Sequence, residues 1–380
     1  MRLQYRMWLA AAVLLLIGAH ILRADEFRGL YVDAFHPGFK SRAEVTQMVT
    51  AATAANVNAL IVQVRKRGDA YYKSAIVPRA ADIAADYDPL ADIITQAHSQ
   101  GIEVHAWLSV YEVALDSKWY VPATDSVHLT RPEWLMSDSA GKTALDHGKI
   151  YLDPGLPAVQ EHVLSVVCEV VSNYAVDGVH LDNIRYPSVG AGYNAQSVAR
   201  FNAETGKSGT PNPNDPDWRK WRTEQVNSLV AGIRKVLSES KTSVKLSASV
   251  MCSDPRLAAM QFLQEWDAWT RDGLVDFVVP MVYLTGDSMG VESAKSLAAS
   301  HDRHVYIGVG AWRIPGALAA KHITDAKAAG APGVVLYSYH YLGPNSPKAE
   351  VSKLSDLKAS VFTERTPTAP MAWLEEGGVR

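Results

Sequence analysis

Residues 178–187 read GVHLDNIRYP. Val179 and Leu181 alternate with His180 and Asp182, the period of two of a β-strand, so one face is apolar and the other carries a histidine and a carboxylate. A stretch of helical period at 156–174 precedes it, and the same unit recurs outward in both directions. Apolar runs begin near Arg28 (RGLYVDAF), Asn58 (NALIVQVR), Ile102 (IEVHAWLSV), Gly178, Val244 (VKLSASVM), Val275 (VDFVVPMVY), Val305 (VYIGVGAW) and Gly333 (GVVLYSYHY). Between them the pattern predicts helices over 42–55, 89–100, 156–174, 217–238, 256–272, 290–299 and 316–329, several opened by Ser, Asp or Pro and closed by Gly or Asn. Eight such units predict an α/β chain, a (β/α)8 TIM barrel in which GVHLDNIRYP is strand four. The intervals from Ile102 to Gly178 and from Gly178 to Val244 exceed one βα unit, so long loops are expected after strands three and four, on the face where barrel active sites lie. A doubly wound sheet would place a glycine-rich phosphate loop after its first strand; AFHPGFKS stands there instead, with no G-x-G-x-x-G and no Walker lysine.

Composition narrows the function. In 380 residues, 48% are hydrophobic and 20% charged, which excludes a disordered or fibrous chain. A net charge of −3 leaves no electrostatic footprint for nucleic acid, so none is expected as a partner. Two cysteines, Cys168 and Cys252, are too few for a disulfide scaffold or a cysteine-based zinc site, and the helical pattern around Cys168 predicts that it is buried. Ten Trp and sixteen Tyr against seven Phe favour rings with a polar edge, as in a wet binding groove.

The chain opens with Arg2 and Arg6, an apolar run over 7–17 and a small residue at Ala24, the make-up of an export signal over 1–24. Export to the periplasm or beyond is the expectation, with membrane contact only through an uncleaved signal. The barrel is expected over 25–345, and a C-terminal helix with a loosely packed tail over 346–380.

Polar residues at the C-terminal ends of barrel strands are candidates for chemistry, because a buried strand has no packing reason to carry a carboxylate. Asp182 leads, with His180 one layer below it and Asn183 and Arg185 beyond. Asp33 ends strand one. Asp69 follows the cationic stretch Arg65, Lys66, Arg67 and reads equally as a turn-forming Asp after Gly68. Glu112 lies past strand three, where it is a second acid or a solvent-facing residue. Trp107, Tyr111, Tyr283, Trp312 and Tyr337 offer faces for sugar rings, with core packing the alternative, above all for Trp107. No H-x-H or H-E-x-x-H stands at a strand end and no G-x-S-x-G elbow is present, so no cofactor or metal is called for. Carboxylates, an arginine and many aromatics suit glycoside hydrolysis, in which one acid protonates the leaving oxygen and a second carboxylate activates water or attacks the sugar.

The segments FRGLYVDAFHPG, IVQVRKRGDAYYKS, GIEVHAWLSVY, IYLDPGLPAVQEHV, YAVDGVHLDNIRYP, VDFVVPMVY and HVYIGVGAWRI, in this order over 27–342, resemble the glycosyl hydrolase-like 10 family of bacterial envelope proteins. The resemblance implies a TIM barrel, export and cleavage of a bacterial polysaccharide, with peptidoglycan glycan strands the best-supported substrate among relatives. It matches Arg65, Asp69, Asp182 and Tyr283 to positions where the family keeps polar groups, and makes Asp182 the first acid of a D-D pair whose second member is Asn183 here. Ser109 and Glu112 stand where relatives often show Asn and Arg. The strand-four segment is also similar to the G-x-R-x-D of α-amylase-type barrels, with His180 in place of Arg; strand five ends without a Glu, and VGAW of strand seven has no acid. The expectation is a glycosidase with Asp182 as general acid or nucleophile, Asp69 or Asp33 as partner, Arg65 orienting a carboxylate or substrate oxygen, and Tyr283 hydrogen-bonding near the reacting carbon; Trp107, Tyr111, His180, Asn183, Arg185, Trp312 and Tyr337 complete the substrate site. The alternatives are a non-catalytic polysaccharide-binding barrel and a metal-dependent polysaccharide deacetylase or hydrolase.

Overall fold

The computed structural model describes residues 25–375 apart from 119, 121, 241 and 242, so the export signal expected over 1–24 lies outside the described residues. Strands β1 (Phe27–Val32), β2 (Ala59–Arg65) and β3 (Glu103–Ser109) are followed by a small antiparallel sheet of β4 (Glu112–Leu115), β5 (Ala144–Leu145) and β6 (Lys149–Tyr151). The chain then returns through β7 (Gly178–Asp182), β8 (Lys245–Val250), β9 (Phe277–Val282), the short pair β10 (His304–Val305) and β11 (Ile307–Val309), and β12 (Gly333–Leu336). β1 pairs in parallel with both β2 and β12, and the parallel ladder runs on through β3, β7, β8, β9 and β11 back to β12. The sheet therefore closes into the expected eight-stave barrel, with β10 and β11 sharing the seventh stave.

The period of two sorts the side chains. Leu30, Leu60, Val62, Val104, Val179 and Leu181 face outward into one continuous core with the helices. Tyr31, Ile61, Trp107, Phe277, Tyr306 and Val335 face inward and fill the barrel together with His105 and His180. Gly178 has a reason to lack a side chain, since a Cβ there would stand 2.2 Å from Nδ1 of His105.

The outer ring includes α1 (Arg42–Ala54), α2 (Pro89–His98), α3 (Pro157–Asn173), α4 (Ala195–Thr205), α5 (Pro216–Glu239), α6 (Pro255–Phe262), α7 (Trp266–Arg271), α8 (Met289–Leu297) and α9 (Gly316–Ala328). Ser41, Asp88, Asn194, Asp215 and Asp254 each accept a backbone N–H at a helix start, a cap worth about 1 kcal/mol. The single helix expected over 256–272 is two: Leu263 takes a left-handed conformation (φ 54°) and turns α6 into α7, so that Trp266 and Trp269 become fully buried. α4 lies inside the long segment after strand four and was not expected there. Cys168, expected to be buried, is exposed, because its position on α3 falls between the buried valines.

Over 346–375 the expected C-terminal helix is Leu354–Ser360, and the tail beyond it, though exposed at many positions, is tied to the barrel at several points. After the short helix Leu354–Ser360 the chain crosses the N-terminal end of the barrel: Pro367 O accepts from Glu26 N (3.0 Å), Thr368 Oγ1 donates to Glu103 (2.7 Å), and Trp373 Nε1 donates to Asp276 (2.9 Å). Met371 joins Phe27, Phe277 and Tyr306 in the interior cluster. That end of the barrel is thus plugged, and the open end is the C-terminal one.

Candidate active site

A cleft of about 410 Å³ opens at the C-terminal ends of the strands. Tyr31, Gln63, Trp107, Ser109, Ser249, Met281, Tyr283 and Tyr337 line it from the barrel; Phe35, Arg67, Glu112, Lys149, Asp182, Asn183 and Arg185 line it from strand ends and loops. The aromatic members pack on one another at angles, Tyr31 against Trp107 and Tyr337, and Tyr283 against Tyr337, with ring centroids 5.1–5.8 Å apart. Phe35 is 42% exposed at the rim, with the Arg67 guanidinium over its ring.

Asp182 stands at the end of β7, partly open to this cleft. Trp107 Nε1 donates to its Oδ2 (3.1 Å) and the Asn183 backbone N–H to its Oδ1 (2.8 Å). Burial pushes its carboxyl above the usual aspartate range, opposed by the Arg185 guanidinium and by these hydrogen bonds. Asn183 adopts φ 53°, a left-handed turn that Asn tolerates, and this folds its side chain back over the strand end. Its Nδ2 lies 3.3 Å from Oδ2 of Asp182 and 3.5 Å from Oε2 of Glu112.

Glu112 is therefore the second carboxylate of the cleft. It begins β4, its side chain is 5% exposed, and it is ion-paired with Arg67 (3.1 Å) and Lys149 (3.4 Å). The solvent-facing alternative does not hold, because the antiparallel sheet turns β4 back over the barrel mouth, where β6 supplies Lys149. The acid that the family resemblance places at 183 is an amide here, and the second negative charge comes from a different strand. Sequence reasoning underrated Glu112; the available signal was a cation on the loop after strand two and another at Lys149, each with a carboxylate to satisfy.

The other expected acids lie elsewhere. Asp69 accepts the backbone N–H groups of Lys66 and Arg67 (3.1 and 3.0 Å), so it shapes the turn that presents Arg67 and does not line the cleft. Asp33 is sealed away, taking hydrogen bonds from Ser338 Oγ (2.8 Å) and the Phe35 N–H (3.1 Å) and pairing with His36 (2.6 Å). Burial raises its carboxyl, but His36 and these donors outweigh burial and leave it below the usual range. Arg65 is buried and donates to the carbonyls of Ser109 and Val110, fixing the end of β3 without reaching the cleft. His180 is a satisfied interior group: Nδ1 meets Ser247 Oγ (2.9 Å) and Nε2 meets Ser249 Oγ (2.8 Å) and Tyr31 Oη (3.0 Å), and burial keeps it neutral. Tyr111 is wholly buried, with no opening to the cleft, and Trp312 packs edge-on against Tyr283 and Tyr337 without lining it. Of the expected residues, the structure brings Asp182, Asn183, Arg185, Trp107, Tyr283 and Tyr337 together and adds Glu112, Arg67, Lys149 and Phe35. Among the described residues no three His, Cys, Asp or Glu side chains converge as a metal-ligand set.

A closed parallel barrel whose one open mouth holds two carboxylates among aromatic rings has the make-up of a glycosidase-type barrel. The chain belongs to the glycosyl hydrolase-like 10 family, whose model matches residues 26–326. It is 26% identical over 305 residues to the glycosyl hydrolase YngK of Bacillus subtilis, covering 72% of this chain and 56% of that protein. It is 29% identical over 256 residues to the glycosyl hydrolase DigH of Escherichia coli K12, covering 60% of this chain and 54% of that protein. The chain thus spans about half the length of the curated relatives it matches. Among solved structures, the glycoside hydrolase domain of PgaB (BpsB) from Bordetella bronchiseptica shares the fold, with a TM-score of 0.65 at 14% identity over 85% of this chain and 96% of that one.

Proposed function

We propose that the protein is an exported glycoside hydrolase that cleaves a bacterial polysaccharide, with peptidoglycan glycan strands the foremost substrate. The observation that carries this reading is the placement of Asp182 and Glu112 within 3.5 Å of one amide nitrogen, at a mouth walled by aromatic rings. Asp182 is the general acid: burial keeps a proton on it further up the pH scale than on a free aspartate, and it gives that proton to the leaving glycosidic oxygen. Glu112, braced by Arg67 and Lys149, is the carboxylate that activates water or attacks the anomeric carbon. Trp107, Tyr283, Tyr337 and Phe35 supply faces for the sugar rings, since carbohydrate C–H faces pack well on aromatic planes. Export rests on Arg2, Arg6 and the apolar run that follows them.

The test is incubation of the 25–380 protein with peptide-stripped peptidoglycan and a panel of plain polysaccharides, with and without EDTA, followed by mass spectrometry of soluble products. New oligosaccharides that persist in EDTA and vanish in both Asp182→Asn and Glu112→Gln support the reading. Binding without products on every substrate that binds establishes a carbohydrate-binding barrel instead. Activity lost in EDTA and restored by zinc establishes the metal-dependent alternative.

A further inference from the structure

Three cations line the cleft, and they are not equivalent. Arg67 and Lys149 are both ion-paired with Glu112, and Lys149 also meets Asp146 at 3.7 Å. Arg185 has no carboxylate within ion-pair distance among the described residues; its hydrogen bond goes to a neutral acceptor, Asn183 Oδ1, at 3.3 Å. Its guanidinium lies over the ring of Phe262, 5.2 Å from the centroid. The fork has five N–H donors, and the bond to Asn183 is the one it makes to a protein acceptor among the described residues, while Arg185 lines the cleft.

From this placement we infer that the cleft reads a carboxylate on its sugar substrate, and that Arg185 is the residue that reads it. The inference rests on the glycosidase reading and adds the charge of the substrate to it. A half-buried guanidinium beside a reacting site is costly to leave unpaired, and its planar fork matches a carboxylate through two parallel hydrogen bonds, which a lysine would not reproduce. Neutral hydroxyls, by contrast, need no formal charge for recognition. Asp182 does not fill the role, because Trp107, the Asn183 N–H and the Asn183 side chain already occupy its oxygens. A uronic acid or a lactyl-ether sugar with its carboxyl free has the required group; the same sugar with that carboxyl in amide or ester linkage does not.

The experiment separates this inference from the hydrolytic one. Oligosaccharides from peptide-stripped peptidoglycan, whose lactyl carboxylates are free, are compared with the same oligosaccharides after methyl esterification. Binding to the full-length Asp182→Asn protein is measured by calorimetry, and turnover is measured with the parent. The expected result is binding of the free acid about tenfold or more tighter than the ester, a preference that fades as salt screens the charges. Adding Arg185→Gln should bring the two affinities within about twofold of each other, and Arg185→Lys should keep part of the preference, as a point charge without the fork does. Circular dichroism of each variant guards against misfolding, and exposed Arg256→Gln should retain the full preference. Equal binding of acid and ester, no binding of the acid, or a preference untouched by Arg185→Gln in a folded protein overturns the inference. A preference that disappears with Arg185, in a parent that releases no products, upholds the carboxylate subsite and removes the hydrolase; products without a preference do the reverse.

Discussion

Asp182→Asn should lower turnover by about 10²- to 10⁴-fold, the range in which a positioned acid contributes, and a steady-state assay on the polysaccharide that the product survey identifies checks it. Thermal unfolding gives a second readout with its own sign. Because burial raises the folded-state carboxyl above its ordinary value of 3.8, the folded protein loses stability as pH rises through that raised range; the neutral amide should therefore have a Tm at pH 7 equal to or above the parent's. Asn183→Asp makes a different point. It replaces the donor shared by Asp182 and Glu112 with a third negative charge, so turnover should fall by about tenfold or more, and the basic limb of the pH profile should move upward as the new charge holds the proton on Asp182. An unchanged profile would count against Asp182 as the acid. Asp182 itself was legible, since a strand of period two has no other use for a carboxylate at its end. Glu112 was legible only as one of two alternatives, because what places it in the cleft is the convergence of Arg67 and Lys149 from two separate loops, and no local period encodes that.

Among the elements, the loop after β2 shows how a residue outside the cleft still matters to it. Asp69 takes the backbone N–H groups of Lys66 and Arg67 and so fixes the turn from which Arg67 reaches Glu112 while its guanidinium stacks on Phe35, 4.7 Å from the ring centroid. Asp69→Ala should cost about 1 kcal/mol of stability, as loss of a capping-type acceptor does, and should reduce kcat severalfold, with Asp69→Asn recovering most of it because an amide oxygen accepts the same two hydrogens. Equal kcat in the parent and Asp69→Ala would separate the turn from the chemistry. The helices show where local sequence stops informing. α1, α2, α3, α5 and α9 fall within a few residues of their expected limits because Ser, Asp or Pro marks their starts. The break at Leu263 carries no Gly or Pro; it is imposed by Trp266 and Trp269, which reach the core only if the chain turns there. The three-stranded sheet of β4, β5 and β6 was hidden for a related reason, being built from strands of two to four residues that pair across a long excursion.

For the molecule as a whole, eight repeats of strand and helix call for a parallel sheet buried on both faces, and the missing glycine-rich loop after the first strand favours the closed barrel over the open, doubly wound form. The plug across its N-terminal end had no such signature, because 363–375 has neither period nor length and is ordered by the surface it covers. Ending the chain after residue 362 removes Met371 and Trp373 from the floor and should destabilise the protein by about 3–5 kcal/mol, read as a shift of the urea midpoint. The same end of the barrel contains an acid-sensitive group. Burial raises Glu103, but His105 and Lys245 outweigh it and hold it near about 2 against an ordinary 4.5. Its contribution, at most about 3 kcal/mol, is complete above pH 4.5 and lost as pH falls toward 2, so unfolding free energies at pH 7, 4.5 and 2.5 should fall less steeply in Glu103→Gln than in the parent.

The hydrogen bond from Glu26 N to Pro367 O places the start and the finish of the described chain side by side, under the floor. The described residues thus begin and end at the floor, on the side of the barrel opposite Asp182. Floor and rim are therefore separate surfaces: a contact made at the floor leaves the rim, with its two carboxylates, free to meet a polymer.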